Sequence, residues 1–321
     1  MLLYLWALSM PQLGCINLYL FMPRKFIYFI NPISGTKNKV SLLELIETKT
    51  AAENIPFEIL HTREDGNYSF LEEKILLEKI TDIIVCGGDG TVNQVAAALQ
   101  NKDVNVGVIP MGSGNGLALA AGISTNPSKA LDIIFNGTAS YVDCFYINND
   151  FSCMLCGIGF DAKVAHEFAQ QKTRGVLKYI ELTIKNYFSA KTHPFVIHIK
   201  DLEIKTEAFF ISIANSNQFG NNVTIAPKAS ISDGLLDIVI VNKMSKFKLL
   251  YSLLHQIKLG QITNTEKTFK KKDIFYFQAK ALQIDNPENA PLHIDGDPAT
   301  TSSSFKIEII EKAFRLLQPN S

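Results

Sequence analysis

Short apolar runs alternate with amphipathic stretches through the first half of the chain. Phe26 to Ile30 is an unbroken apolar run ending in Asn31-Pro32-Ile33-Ser34-Gly35, which reads as a buried strand followed by a turn. A helical pattern covers Val40 to about Thr50. Phe57 to Leu60 reads as a second strand, Phe70 to Lys79 as a second helix, and Asp82 to Cys86 as a third strand running into Gly87-Gly88. Val92 to Gln100 is then a helix, Asn105 to Ile109 a strand, Gly116 to Ala121 a helix start and Pro127 to Asn136 another helix. Strands alternating with helices predict a parallel sheet.

After about Asp143 the pattern changes. Helix signals persist only at Ala162 to Ala169, Leu177 to Tyr187 and a short stretch at Phe247 to Leu259. Strand-like runs take over at Phe195 to Ile199, Ala208 to Ala214, Leu236 to Val241, Ile274 to Ala279, Leu282 to Asp285 and Phe305 to Ile310. A boundary near Tyr141 to Cys144 therefore separates an α/β domain over residues 23–142 from a mostly antiparallel, β-rich domain over residues 143–310. Met1 to Phe21 is apolar and uncharged and precedes Arg24-Lys25. It lacks the positive n-region of a signal peptide, and Pro11, Gln12, Gly14 and Asn17 interrupt it. Two readings stay open for this extension: membrane attachment, or a true start at Met22.

A chain of 321 residues is long enough for two domains with separate cores. Lysine plus arginine and aspartate plus glutamate number 31 each, so no net field draws the protein to nucleic acid. The five cysteines form no disulfide framework and suit a reducing, cytoplasmic compartment. Cys153 and Cys156 form a C-x-x-C without a second ligand pair, which reads as two core thiols rather than a zinc or redox site.

The strongest chemical signal is Ile83-Ile84-Val85-Cys86-Gly87-Gly88-Asp89-Gly90-Thr91-Val92-Asn93, a strand that ends in glycines and opens a helix. Glycines let backbone N–H groups approach phosphate oxygens, and a helix N-terminus adds partial positive charge. Asp89 inside such a loop would repel a nucleotide unless it holds Mg2+ or activates an acceptor hydroxyl. A second junction, Ile109-Pro110-Met111-Gly112-Ser113-Gly114-Asn115-Gly116-Leu117, has the same strand-to-helix form. With Asn31 and Ser34 ending the first strand and Thr62 the second, four polar loops converge on one sheet edge, where open α/β folds bind ligands. There is no G-x-x-x-x-G-K-[ST], no H-R-D or D-F-G set, and no G-x-G-x-x-G after the first strand. Those features exclude P-loop enzymes, protein kinases and dinucleotide dehydrogenases.

Gly87-Gly88-Asp89-Gly90-Thr91 followed by Pro110-x-Gly112-Ser113-Gly114-Asn115 resembles the diacylglycerol kinase catalytic domain shared by bacterial lipid kinases, sphingosine kinases and ceramide kinases. The resemblance runs from about Arg24 through Asn31-Pro32-x-Ser34-Gly35, Gly159-Phe160-Asp161-Ala162, Asn215, Ala226-Pro227-x-Ala229, Asp233-Gly234-Leu235-Leu236-Asp237 and Asp295-Gly296-Asp297. It implies an N-terminal domain with a phosphofructokinase-like fold, also seen in NAD kinases, a β-sandwich-like C-terminal domain, and ATP between them. It also implies that residues 311–321 return to the first domain. Asn31, Ser34, Thr62, Gly87, Gly88, Asp89, Gly90, Thr91, Val92, Asn93, Ser113 and Asn115 become the expected ATP contacts. Ser230, Asp233 and Leu235 match a Mg2+ site of bacterial members, built partly from main-chain carbonyls.

The family's proton acceptor is the acid of a D-G-E motif, and that position is Asp297 here. Aspartate is one methylene shorter, which matters where positioning dominates the rate. Asp295 shares its face if the segment is extended and is a second candidate; Asp89 is the third. The Gly112-to-Ala118 loop looks closer to the sphingosine and ceramide kinase form than to G-T-x-N-D-F-A. The expected reaction is phosphorylation of a lipid hydroxyl, with diacylglycerol to phosphatidic acid first and a sphingoid base or ceramide as alternatives. NAD kinase and a non-catalytic sensor are rival functions. A membrane lipid substrate implies peripheral contact at the inner membrane face, and the family allows a homodimer. The cluster Lys267, Lys270, Lys271 and Lys272 reads as a solvated turn or a headgroup contact. Phe209, Phe210 and Phe219 read as core or acyl-channel lining, and His293 as a strand residue or an aid to Asp295.

Overall fold

The computed structural model describes residues 23–32, 39–171, 176–187, 189–218, 226–243, 245 and 273–320. The extension before Met22, Ser34, Phe219, the expected helix at Phe247 to Leu259 and the four lysines of 267–272 lie outside the described residues.

Strands whose residues are apolar on both faces have to lie inside a sheet covered on both sides. β1 (Phe26–Ile30) and β3 (Asp82–Gly87) are such runs, buried along their whole length, and β4 (Asn105–Pro110) is buried beyond its first residue. β2 (Phe57–His61) is only half-buried and takes the edge. The four pair in parallel in the order β2-β1-β3-β4. Between and after them run α1 (Lys39–Ala52), α2 (Leu71–Glu78), α3 (Asp89–Ala98), α4 (Gly116–Ala120) and α5 (Pro127–Asn136). α5 starts at Pro127 because Asn126 caps it, its side chain accepting from the Ser128 and Lys129 N–H groups. At the opposite edge from the loops, Arg24 grips the buried Asp82 with both forks, at 2.7 and 3.2 Å, and donates to the Ile134 and Phe135 carbonyls that end α5.

The second half continues with β5 (Thr138–Ile147), β6 (Asp150–Ser152), β7 (Leu155–Gly159), α6 (Phe160–Ala169), α7 (Val176–Tyr187), β8 (His193–Ile199) and β9 (Leu202–Ala214). β10 (Leu236–Asn242), β11 (Ile274–Ala279), β12 (Ala281–Asp285), β13 (Leu292–Ile294), β14 (Asp297–Ala299) and β15 (Ser304–Gln318) complete it. An antiparallel ladder β14-β13-β7-β9-β8-β12-β15 has β10 and β11 attached through β9. It encloses a core of its own around Phe145, Phe195, Ile211, Ile238 and Phe305.

The expected boundary at Tyr141 to Cys144 falls inside β5, so the halves are not joined by a linker. β15 pairs with β5 from Ile307 to Gln318, with a register shift between Ile310 and Phe314. Past the shift it also runs parallel to β4, through Arg315↔Asn105 and Leu316↔Val106. The pairing of β15 makes one continuous hydrogen-bonded sheet from the parallel strands to the antiparallel ladder. Cys86, Cys144, Cys153 and Cys156 are all free and buried, which agrees with reading them as core thiols.

Candidate active site

The C-terminal ends of the parallel strands meet at one edge. Asn31 N–H donates to Cys86 O, Met111 N–H to Gly87 O and Thr62 N–H to Ile30 O, so the loops after β1, β2, β3 and β4 are laced together by backbone. The two glycine loops pack directly on each other. A Cβ on Gly112 would stand 2.6 Å from Gly88 Cα, and one on Gly87 would stand 2.8 Å from Thr91 Cβ. Contact with the facing loop at Gly112, and with Thr91 of its own loop at Gly87, therefore already demands glycine, before any phosphate is considered.

α3 begins at Asp89, three residues earlier than the sequence pattern suggests, with Gly88 as its extended N-cap. Gly90 and Thr91 thus belong to the helix, whose first-turn N–H groups have no intrahelical partner and lie at the strand edge. The Thr91 hydroxyl accepts from Asn31 Nδ2 at 2.9 Å. Ser113 is exposed and Thr62 half-buried at the rim.

Three expected nucleotide contacts are turned inward. Val92 lies in the core. Asn93 spends its amide on the Phe151 carbonyl, 2.9 Å away, because helical geometry points it at β6. Asn115, in the left-handed region at φ 53°, closes its own loop by accepting from Gly112 N–H and donating to Gly112 O, both at 2.8 Å.

The three candidate acids occupy different environments. The backbone N–H groups of Leu117, Gly116 and Asn115 donate to Asp89, which ties α3 to the start of α4. Burial, with the nearby Asp295 adding to it, pushes its carboxyl up to about 7. Asp295 does not share a face with Asp297, because the segment is not extended there. Asp295 and Gly296, at φ 50° and 87°, form the two-residue turn of the β13–β14 hairpin, a geometry that favours Asp-Gly. The Asp295 carboxylate is buried and accepts from Ser152 Oγ at 2.7 Å and from the Cys153, Met154 and Leu155 N–H groups at 3.0 to 3.2 Å. Three of the four donors fall on Oδ1 and one on Oδ2, and together they fasten the hairpin to the loop before β7. Asp297 is exposed on β14, and a Cβ on Gly90 would stand 2.7 Å from its Oδ2. Its carboxylate thus lies against the backbone of the glycine loop.

The expected metal residues lie in the segment before β10. Asp233 is exposed, and its Oδ1 accepts from Leu235 N–H at 3.1 Å. Among the described residues no group of three or more His, Cys, Asp or Glu side chains could hold a metal. A site here would need main-chain oxygens beside that single carboxylate, a donor set that suits a hard, partly hydrated ion. Sequence reasoning missed Asp143, a buried acid that accepts from Gly234 N–H at 2.8 Å and Lys312 N–H at 2.7 Å. An aspartate in the middle of the apolar Val142-to-Phe145 run is the signal that marks it. Phe209 and Phe210 are packed in the core.

An α/β half with a glycine loop at its strand edge, joined by continuous strands to a β half that brings a carboxylate against that loop, defines a two-domain nucleotide-dependent phosphotransferase. Residues 25–147 match the Diacylglycerol kinase catalytic domain, and residues 155–318 match the YegS C-terminal NAD kinase beta sandwich-like domain. The chain belongs to the diacylglycerol kinase catalytic-domain family and is a kinase of its lipid-kinase class. It is 26% identical over 257 residues to "Probable lipid kinase YegS-like" of Shewanella frigidimarina, covering 78% of this chain and 80% of that one. A relative of the same name in Pectobacterium atrosepticum is 28% identical over 272 residues, covering 81% and 86%. The fold is shared with a diacylglycerol kinase structure from Bacillus anthracis, at a TM-score of 0.68 and 21% identity over 92% of this chain and 97% of that one.

Proposed function

We propose that the protein transfers the γ-phosphate of ATP to the hydroxyl of a membrane lipid, diacylglycerol first, giving phosphatidic acid. The observation that carries this reading is Asp297 facing the Gly90 backbone: an exposed carboxylate stands beside the loop suited to the phosphates. The N–H groups at the α3 N-terminus cradle the phosphates, with Ser113 and Thr62 at the rim. Asp297 takes the proton as the lipid oxygen attacks the γ-phosphorus, the bond to the β–γ bridging oxygen breaks, and ADP leaves. Asp89 keeps the two loops in register rather than acting as base, since its carboxylate is spent on the α4 N–H groups. Asp233 and the Ser230 and Leu235 carbonyls would be the oxygen donors to hold Mg2+, which would supply positive charge to offset the phosphates when bound. The likeness of the Gly112-to-Ala118 loop to sphingosine and ceramide kinases supports a second reading, a sphingoid base or ceramide as acceptor. Either lipid requires contact with a membrane surface; among the described residues no helix is long and apolar enough to cross one.

The test is transfer of labelled γ-phosphate from ATP and Mg2+ to a panel of diacylglycerol, monoacylglycerol, sphingoid bases, ceramide and NAD. Label in diacylglycerol supports the first reading and label in a sphingoid lipid the second. Label in NAD alone, or ATP binding without any transfer, refutes both.

A further inference from the structure

We propose that Asp161 and His293 are a buried pair that positions the Asp297 hairpin. The inference rests on the reading above only in taking Asp297 as the base. β14 is three residues long, and among the described residues it pairs with β13 alone. So short an edge strand frays unless something besides its ladder holds it. Catalysis by positioning tolerates little looseness at the base.

Asp295 anchors one side of the turn, as described above. The other side is held through His293, which is fully buried and stands opposite Pro298 in the hairpin. Its Nδ1 accepts from Gly296 N–H at 3.3 Å. An accepting Nδ1 puts the proton of the neutral ring on Nε2. Nε2 stands 3.4 Å from Asp161 Oδ2, within ion-pair reach but outside hydrogen-bond geometry in this arrangement. The other Asp161 oxygen accepts from Ala162 N–H at 2.9 Å, in the first turn of α6, where a carboxylate is favoured. A continuous line therefore runs from α6 through Asp161 and His293 to the residue beside Asp297.

Gly157 shows how closely the pair is built into the sheet. It lies opposite His293 on β7, and a Cβ there would stand 2.0 Å from Asp161 Oδ2 and 2.5 Å from His293 Nε2. Only glycine leaves room for the ring and the carboxylate over that strand.

The experiment compares His293→Leu and His293→Asn with the wild-type protein. Amide hydrogen exchange is followed across residues 292–299, and kcat and the KM for ATP are measured on whichever lipid the wild type accepts. Leucine removes the acceptor for Gly296 N–H; the asparagine amide oxygen stands near where Nδ1 does and restores it. His293→Leu should speed exchange in the hairpin about tenfold and lower kcat by between about ten- and hundredfold, leaving the KM for ATP within about twofold. His293→Asn should recover both only in part, because it restores the acceptor for Gly296 N–H and lacks the Nε2 that reaches Asp161. If the leucine variant does not fold, Asp161→Asn keeps the volume and should show the same kcat loss in milder form. Unchanged hairpin exchange, exchange raised equally across the whole protein, or a leucine variant with normal kcat would each overturn the pairing. A wild type that phosphorylates no lipid sinks the proposed function instead, and the exchange comparison still decides whether the pair holds the hairpin.

Discussion

Asp89→Asn makes a sharp test of the charge balance in the site. The carboxyl titrates near 3.9 in an unfolded chain and is pushed up to about 7 in the folded protein, chiefly by burial. A raised carboxyl means that the folded state binds the proton more tightly than the unfolded state. Its contribution is therefore fully present below about pH 4 and is lost as pH rises through about 7. Across that window the wild type should lose about 1.4 kcal/mol of stability per pH unit from this group. Integrated over about three units the ceiling is about 4 kcal/mol, and since water reaches the half-buried side chain, about 2 kcal/mol is the realistic figure. Asparagine keeps an oxygen for the α4 N–H groups and cannot ionise. Urea unfolding at pH 5 and pH 8, which spans about two of those three units, should thus show Asp89→Asn gaining about 1.3 kcal/mol on the wild type between the two pH values. Parallel stability curves for the two proteins would refute the argument that burial makes this carboxylate costly.

Asp297→Asn should lower kcat at least about a hundredfold while ATP binding by calorimetry is unchanged, whereas Asp297→Glu should retain measurable turnover because it keeps a carboxylate on the same strand. Near-normal kcat in Asp297→Asn removes the residue from the mechanism. Gly112→Ala should cost at least about 2 kcal/mol in thermal or urea unfolding, since the methyl meets the Gly88 backbone at 2.6 Å rather than a movable side chain. Arg24→Ala should cost about 3 kcal/mol, because it leaves the buried Asp82 carboxylate without its cation and with only the Thr81 hydroxyl and the Asn105 amide, and Asp82→Asn should recover part of that loss in the double variant.

How much of this was legible in the sequence depends on where each element gets its definition. β1, β3 and β4 are apolar on both faces, and α5 carries its own cap and proline, so a single segment states the answer. β13 and β14 are three residues each and exist as strands only because they pair with each other and with β7. A local pattern had nothing to report there beyond Asp-Gly, the turn itself. β5 opens with the small residues Thr138-Ala139-Ser140, none of them buried, and its partner β15 lies far along the chain, so neither its length nor its passage between the halves shows in its own residues. The site divides in the same way. The glycine loops at the strand edge and Asp297 as candidates were readable as motifs. The hydrogen-bond partners of Asp89, Asp295 and Asn115 were not, because a carboxylate or amide in a motif looks the same whether it faces a ligand or a neighbouring backbone.

The same distinction explains why so many motif residues are engaged inside the protein. Phosphoryl transfer asks for groups held still rather than for many reactive groups. Here the glycine loop comes from a parallel strand and the candidate base from an antiparallel hairpin, so their separation depends on every connection between the halves. Asn93 to Phe151 is such a connection, and Asp295 to Ser152 Oγ and the 153–155 backbone, with Asp143 to Gly234 and Lys312, braces the second half that carries the hairpin. The Lys312 contact falls within the register shift of β15, where the strand leaves β12 and takes up β4. Directional polar contacts of this kind place the glycine loop and the candidate base more sharply than a purely apolar interface, being non-directional, would.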